Sequence, residues 1–404
     1  MIKRLTAVTL LLACFLLSSC RSEKEAIWQP PQNDPGQNQE GQKNEGDPSE
    51  PEIDGTPDNE AEPSISLLDL SIIEQDGMTV EHVFMASEDI IFIFTSKYQN
   101  GTVSEQSYLY TYSLNQGAFI KKKAHLGVIG QYPKYIQDDG TVALCLVNSE
   151  TYAYSSLCFI EPVSLSFKEY GLSHINGVRS ALPSPDRSCV AVSTSNGLYI
   201  MDDELLDIMQ SYEAYVPEGG DVLLDTRLPF GAAWLWDSSG VLGNLLGWEW
   251  VYYPFILQSD GSVKAFEDMN GLNAASYGSS QLLFYDSQQM TVSGIYDLST
   301  QTLTPFNLEG LPSESQLSYI SCLAVSKYGK MLAAAAVYSD GSPSEVFFYC
   351  DGDLICSFRP QESSDSAAIE YVSFSPSGNT AVMQTSSTID SPKQVYITSF
   401  PDIW

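Results

Sequence analysis

Histidine is nearly missing from this 404-residue chain: His82, His125 and His174 are the only three. They show no His-x-x-x-His or His-Glu-x-x-His spacing, which excludes the helical metal centres built on those motifs. No Gly-x-Ser-x-Gly elbow and no phosphate-cradling glycine loop occurs. Abundant Asp and Glu leave paired carboxylates as the catalytic arrangement the composition keeps open. No cofactor motif is present and no cofactor is expected. Basic side chains are scarce, with 19 Lys and Arg against 51 Asp and Glu and a formal net charge of -32. Such a field repels phosphate backbones and anionic headgroups, so nucleic acid is disfavoured as a partner. Lys121-Lys122-Lys123 is the only basic run of three and reads as a solvated strand end. Cys-x-x-Cys pairs are absent. Sustained helical periodicity is also missing, apart from a weak candidate around residues 202–212.

What is present begins at the amino terminus. Lys3 and Arg4 form a cationic head, Leu5 to Leu17 an apolar run of about 13 residues, and Leu17-Ser18-Ser19-Cys20 closes it. The run is short for a spanning helix, which needs roughly 20 residues. The segment resembles a bacterial lipoprotein signal peptide with its lipobox, and Leu11-Leu12-Ala13-Cys14 is a weaker copy with too short an apolar run before it. The resemblance implies a signal peptide over 1–19, cleavage before Cys20, a lipid on the Cys20 thiol and attachment to the extracytoplasmic face of a bacterial membrane. Two or three acyl chains suffice for stable anchoring, at about 0.8 kcal/mol per buried methylene.

Residues 20–63 hold the lipidation cysteine and a segment rich in Gln, Asn, Glu, Asp, Pro and Gly, with Ile27, Trp28 and Ile53 as its only sizeable apolar side chains. Too little apolar surface is available to offset conformational entropy, so a disordered acidic tether is expected. Flexible-coil scaling gives it an average reach of roughly 35 to 40 Å.

Residues 64–404 are all β in texture. Short runs rich in Val, Ile, Leu, Tyr and Phe alternate with Gly, Asp, Ser and Asn turns. A strand, tight turn and second strand recur. The fullest copy is residues 372–382, containing Ser375-Pro376-Ser377-Gly378. Others centre on Asp138-Asp139-Gly140, Ser184-Pro185-Asp186 and Ser326-Lys327-Tyr328-Gly329, with weaker copies through residues 84–94, 234–240 and 274–284. The turns recur about every 40 to 53 residues, a spacing that suits four-stranded sheets stacked radially. The Ser-Pro-Ser-Gly and Ser-Pro-Asp turns resemble the PD40, or WD40-like, repeats of TolB-type propellers. That resemblance implies a β-propeller; counting copies gives seven blades of four antiparallel strands, with six or eight as alternatives. Residues 65–70 are expected to add a strand to the last blade, beside residues 395–400, and so clasp the ring.

Six cysteines, Cys145, Cys158, Cys189, Cys322, Cys350 and Cys356, lie in apolar strand contexts and read as buried free thiols. Cys350 and Cys356 flank a turn and leave a cross-strand disulfide open, as does the pair Cys145 and Cys158. Trp234 and Trp236, then Trp248, Trp250 and Tyr252, recur at period two, so each set is expected on one face of a strand. These rings either fill the space between blades or form a platform for a protein, peptide or glycan. Two function classes follow: a binding or sensing module, or a lyase or hydrolase acting on envelope polysaccharide from the propeller channel. The lining of that channel discriminates between them.

Overall fold

The computed structural model describes residues 63–400, except 100–101, 124–125, 214–227, 247–251, 270, 279, 287–290, 307, 309, 313–315, 361–367 and 387–391. The lipobox and tether therefore lie outside the described residues.

Seven four-stranded antiparallel sheets follow one another along the chain. Blade 1 spans residues 79–123, blade 2 128–171, blade 3 178–213, blade 4 228–265, blade 5 273–304, blade 6 317–358 and blade 7 369–399. Within each blade, strands pair in sequence order from the channel outwards, and each blade touches the next around the ring, including blade 7 with blade 1. The fold is a seven-bladed β-propeller, as the turn count anticipated.

Blade 7 contributes only three strands of its own. Its outer strand is Ser64–Leu67, antiparallel to Val395–Ser399 with Ser64 opposite Ser399 and Leu67 opposite Tyr396. Leu68 N–H extends the ladder to Val395 O at 2.8 Å. The clasp expected between the two ends of the folded region is therefore present. One short helix, Ser71–Gln75, follows it and buries Ile73 against blade 1. Residues 202–212, weakly helical in sequence, instead hold the end of one strand, a turn with Leu205 at φ 61° and the strand Ile208–Glu213. Pairing with a neighbouring strand overrides so short a helical pattern.

Second strands are deeply buried, because they are covered on both faces. Ile91 to Phe94, Val142 to Cys145, Val190 to Val192 and Met331 to Ala336 are all buried. Their side chains interleave with those of neighbouring blades in clusters that each span two blades, such as Phe348 of blade 6 against Phe374 and Phe400 of blade 7. Outer strands such as Phe167–Gly171 and Thr302–Thr304 are largely exposed and correspondingly polar.

The repeated turn has one hydrogen-bonded form. In Ser375–Thr380, Ser375 N–H reaches Thr380 O at 2.8 Å and Gly378 N–H reaches Ser375 O at 2.9 Å. Ser184, Leu235 and Ser326 begin turns with the same two bonds, and Gln137 begins a version one residue shorter. The fourth residue has positive φ in each of these five copies: Gly378, Arg187, Ser238, Gly329 and Gly140. Gly329 carries a second requirement, because a Cβ there would lie 3.0 Å from the Gly278 Cα and collide with the Gly278 backbone nitrogen. The backbones of blades 5 and 6 thus approach through two glycines. Adjacent turns also bond to one another. Ser377 N–H and Oγ–H donate to the Glu88 carboxylate, Asp138 N–H donates to Pro185 O at 2.7 Å, Arg187 pairs with Asp139, and Asp186 N–H donates to Ser238 Oγ at 3.2 Å.

Candidate functional site: the central channel

The innermost strands and their turns enclose a cavity of about 380 Å³ at the propeller axis, lined from every blade except the third. The exception has a local cause. The innermost strand of blade 2, Val128–Gln131, stops early, and the segment from Tyr132 to Ile136 runs on without strand pairing until the single bridge of Ile136 to Val142. It crosses in front of blade 3: the Tyr135 hydroxyl donates to Pro183 O of that blade, and Lys134 Nζ passes beyond it to Ala232 O of blade 4 at 2.9 Å.

One position recurs at the cavity's end. The second residue of the repeated turn is Pro185 or Pro376 in the best copies, but Trp236 in blade 4, Lys327 in blade 6 and Asp138 in blade 2. Lys327 Nζ reaches Asp138 Oδ1 at 2.6 Å, joining blades that lie three steps apart around the ring. This ion pair is a strap across the channel mouth. Trp236 lines the cavity and meets Tyr135 edge-on, with ring centroids 5.7 Å apart; its Nε1 is buried without a partner.

The rest of the wall is small, aliphatic or aromatic, with alanines such as Ala232 and Ala275, aliphatics such as Ile136 and Leu323, and the rings of Phe84, Tyr285 and Tyr371. Among the described residues, the lining holds no Asp, Glu, His or Arg; its two cations are Lys134 and Lys327. Burial raises the pKa of both the Tyr135 and Tyr371 hydroxyls well above the usual phenol value, so neither is a base near neutrality. The described wall can hold an apolar or aromatic body and an anionic group, but carries no paired carboxylates for acid and base work. No group of three His, Cys, Asp or Glu is placed to hold a metal ion among the described residues.

Of the sequence-predicted site residues, Trp234 and Trp236 both line the cavity, though not from one strand face. Trp234, the last residue of the strand Leu228–Trp234, is 2% exposed and packs with Leu182, Leu198, Val241 and Phe255 between blades 3 and 4. Its Nε1 donates to Leu182 O at 2.7 Å, so most of the ring is core while one edge borders the cavity. Trp236 shares no strand face with it, because the strand ends at Trp234 and the chain turns. Trp248 and Trp250 lie outside the described residues. Tyr252 opens the third strand of blade 4 opposite Leu246, and of this aromatic series only its backbone placement joins those two. Lys134 and the Lys327–Asp138 strap were not anticipated. The strap had a signal, two charged residues in a turn position otherwise filled by proline; Lys134, in an irregular segment, had none.

His82 lies on the innermost strand of blade 1, stacked on Tyr132 with centroids 4.5 Å apart and tilted against Tyr371 at 4.1 Å. Burial, with the Lys393 ammonium adding to it, holds its pKa down to about 3, and its Nε2 is buried without a partner. His174 Nε2 meets Leu205 O at 2.7 Å, between blades 2 and 3; His125 is outside the described residues. The six cysteines of the folded region are free thiols. Register explains this: Cys350 faces Asp353 while Cys356 faces Phe348, and Cys145 faces Leu157 while Cys158 faces Leu144. Burial pushes the Cys145, Cys158 and Cys322 thiols up to about 12. The lysine run is engaged rather than merely solvated. Lys122 pairs with Asp76 at 2.7 Å, while Lys121 and Lys123 donate to Val163 O and Leu165 O of blade 2.

Comparison with known proteins places the fold. Acylaminoacyl peptidase from Pyrococcus horikoshii superposes with a TM-score of 0.53 at 12% identity, over 79% of this chain and 51% of that one. The β-propeller domain of the Trilobed protease from Pyrococcus furiosus, described as having an open velcro topology, superposes with a TM-score of 0.52 at 12% identity, over 80% of this chain and 93% of that one. This chain thus spans about half the length of the peptidase and nearly all of the isolated propeller. At such identity the likeness establishes a shared propeller architecture. No family model and no curated protein matches the chain.

Proposed function

We propose that the protein is a lipid-anchored, extracytoplasmic binding module whose propeller holds a protein, peptide or glycan group in its central channel. The observation that carries the binding role is the cavity wall: small, aliphatic and aromatic side chains with two lysines, and no described carboxylate, histidine or arginine. Such a wall suits recognition, whereas acid and base chemistry needs titratable pairs near neutrality. The propeller neighbours include domains of peptidases, which is compatible with a binding or gating part in a larger system. Anchoring rests on Lys3, Arg4, the apolar run and Leu17-Ser18-Ser19-Cys20.

The test is a peptide and glycan array probed with the full chain and with Ala275→Phe, which fills the cavity from blade 5. Binding that the wild type shows and the filled variant loses, with thermal unfolding unchanged, is the expected result. No bound feature, or features indifferent to the filling, overturns the binding role. For the anchor, the wild type is expected in the detergent phase of a Triton X-114 partition and Cys20→Ala in the aqueous phase; equal partition overturns it.

A further inference from the structure

Lys134 places an ammonium inside the channel of a protein whose net charge is -32. Its side chain is exposed within the cavity, which opens to solvent at its mouth. One of its three donors is used, on Ala232 O, and among the described residues no carboxylate pairs with it. The strap lysine differs, since Asp138 neutralises Lys327. Among the described residues, the cavity therefore carries one uncompensated positive charge. Drawing an ammonium partly away from water without a counter-ion is unfavourable, and the protein around the cavity lowers the Lys134 pKa by desolvation. An arriving anion would remove that penalty, and a charge-assisted hydrogen bond to an ammonium is stronger than a neutral one. Beside Lys134 stand the rings of Tyr135 and Trp236, with Ala232 and Ala233 opening space along blade 4. A volume of about 380 Å³ suits a ligand near the lower end of the usual range of roughly 300 to 1,000 Å³.

We propose that the channel binds a small organic carboxylate, with its anionic group on Lys134 and its ring or apolar body against Tyr135 and Trp236. This rests on the channel being a binding site and adds the chemical class of its occupant. Two sources share that chemistry: the terminal carboxylate of a short peptide and the uronic acid of a glycan.

Isothermal titration of the full chain with matched pairs tests it. N-benzoylglycine against N-benzoylglycinamide represents the peptide source, and glucuronate against glucose the sugar source. At least one acid is expected to bind, and about tenfold or more tighter than its neutral partner, equivalent to about 1.4 kcal/mol. The pair showing the difference identifies the source. Lys134→Met is expected to erase the difference while keeping the fold by thermal unfolding, and Lys134→Arg to retain it. Acid and neutral partner binding alike overturns this inference but leaves the channel as a binding site. Binding by neither acid, or a preference that survives Lys134→Met, overturns it as well; the array measurement decides separately whether the channel binds anything.

Discussion

His82 shows how one enclosed side chain sets a pH response. In the folded chain its imidazole stays neutral down to about pH 3, whereas an unfolded histidine takes up a proton near its ordinary value of about 6.5. Its contribution to stability is therefore complete above about pH 6.5 and is lost as the pH falls from there towards 3, with a slope approaching about 1.4 kcal/mol per pH unit. His82→Phe keeps an aromatic ring against Tyr132 and removes the titration. Its unfolding midpoint is expected to fall less than the wild type's between neutral pH and about pH 4. Superimposable acid profiles would show that this imidazole titrates normally in the folded state. Sequence reading found His82 in no paired histidine motif. It could not see the rings of Tyr132 and Tyr371 that exclude water, since those residues come from blades 2 and 7. The channel lysine was hidden for a related reason: where strand pairing stops at Gln131, no period indicates which way the next side chains point. Trp234 and Trp236 do not share the expected strand face, because period two does not continue past the end of a strand, yet both border the cavity.

At the scale of the element, the repeated turn was the readable unit. Its fourth residue has positive φ and is glycine in three of the five copies, and four copies share the same pair of backbone bonds while the fifth is one residue shorter. The sequence pattern does not separate a turn that only reverses the chain from one that touches its neighbour. Gly329 is of the second kind, because the Gly278 backbone occupies the space a methyl group would take. Gly329→Ala combines a strained φ with a backbone collision and is expected to lower stability by about 1 to 3 kcal/mol. The equivalent Gly140 has positive φ but open space around it, so Gly140→Ala should carry only the backbone penalty. Urea unfolding of the two variants compares them; equal losses would mean that the close approach of blades 5 and 6 contributes nothing.

For the whole molecule, the number of blades and the clasp both followed from sequence, because each is a matter of counting strands and asking which edges remain bare. Seven turn copies need seven sheets, and the last has too few strands unless the first segment joins it. Deleting Ser64–Leu67 would strip the outer strand from blade 7, uncovering the edge of Val395–Ser399. The expected loss exceeds that of removing an outer strand of comparable exposure elsewhere, such as Phe167–Gly171, because closure of the ring goes with it. A melting temperature unchanged by the deletion would show that the packing of blade 7 on blade 1 closes the ring unaided.

The antiparallel register of Ser64 with Ser399 also dictates an order of events. During synthesis the clasp segment is among the first parts of the described chain to appear, yet its partner is among the last, so it must wait unpaired while six blades form. The entropy of joining such distant segments rises only slowly with their separation, so the delay is chiefly one of time. Throughout that interval the waiting segment can be accepted by the unfinished final sheet of another molecule. Crowded nascent chains would then exchange clasps and emerge as interlocked dimers, each ring shut by its neighbour's strand.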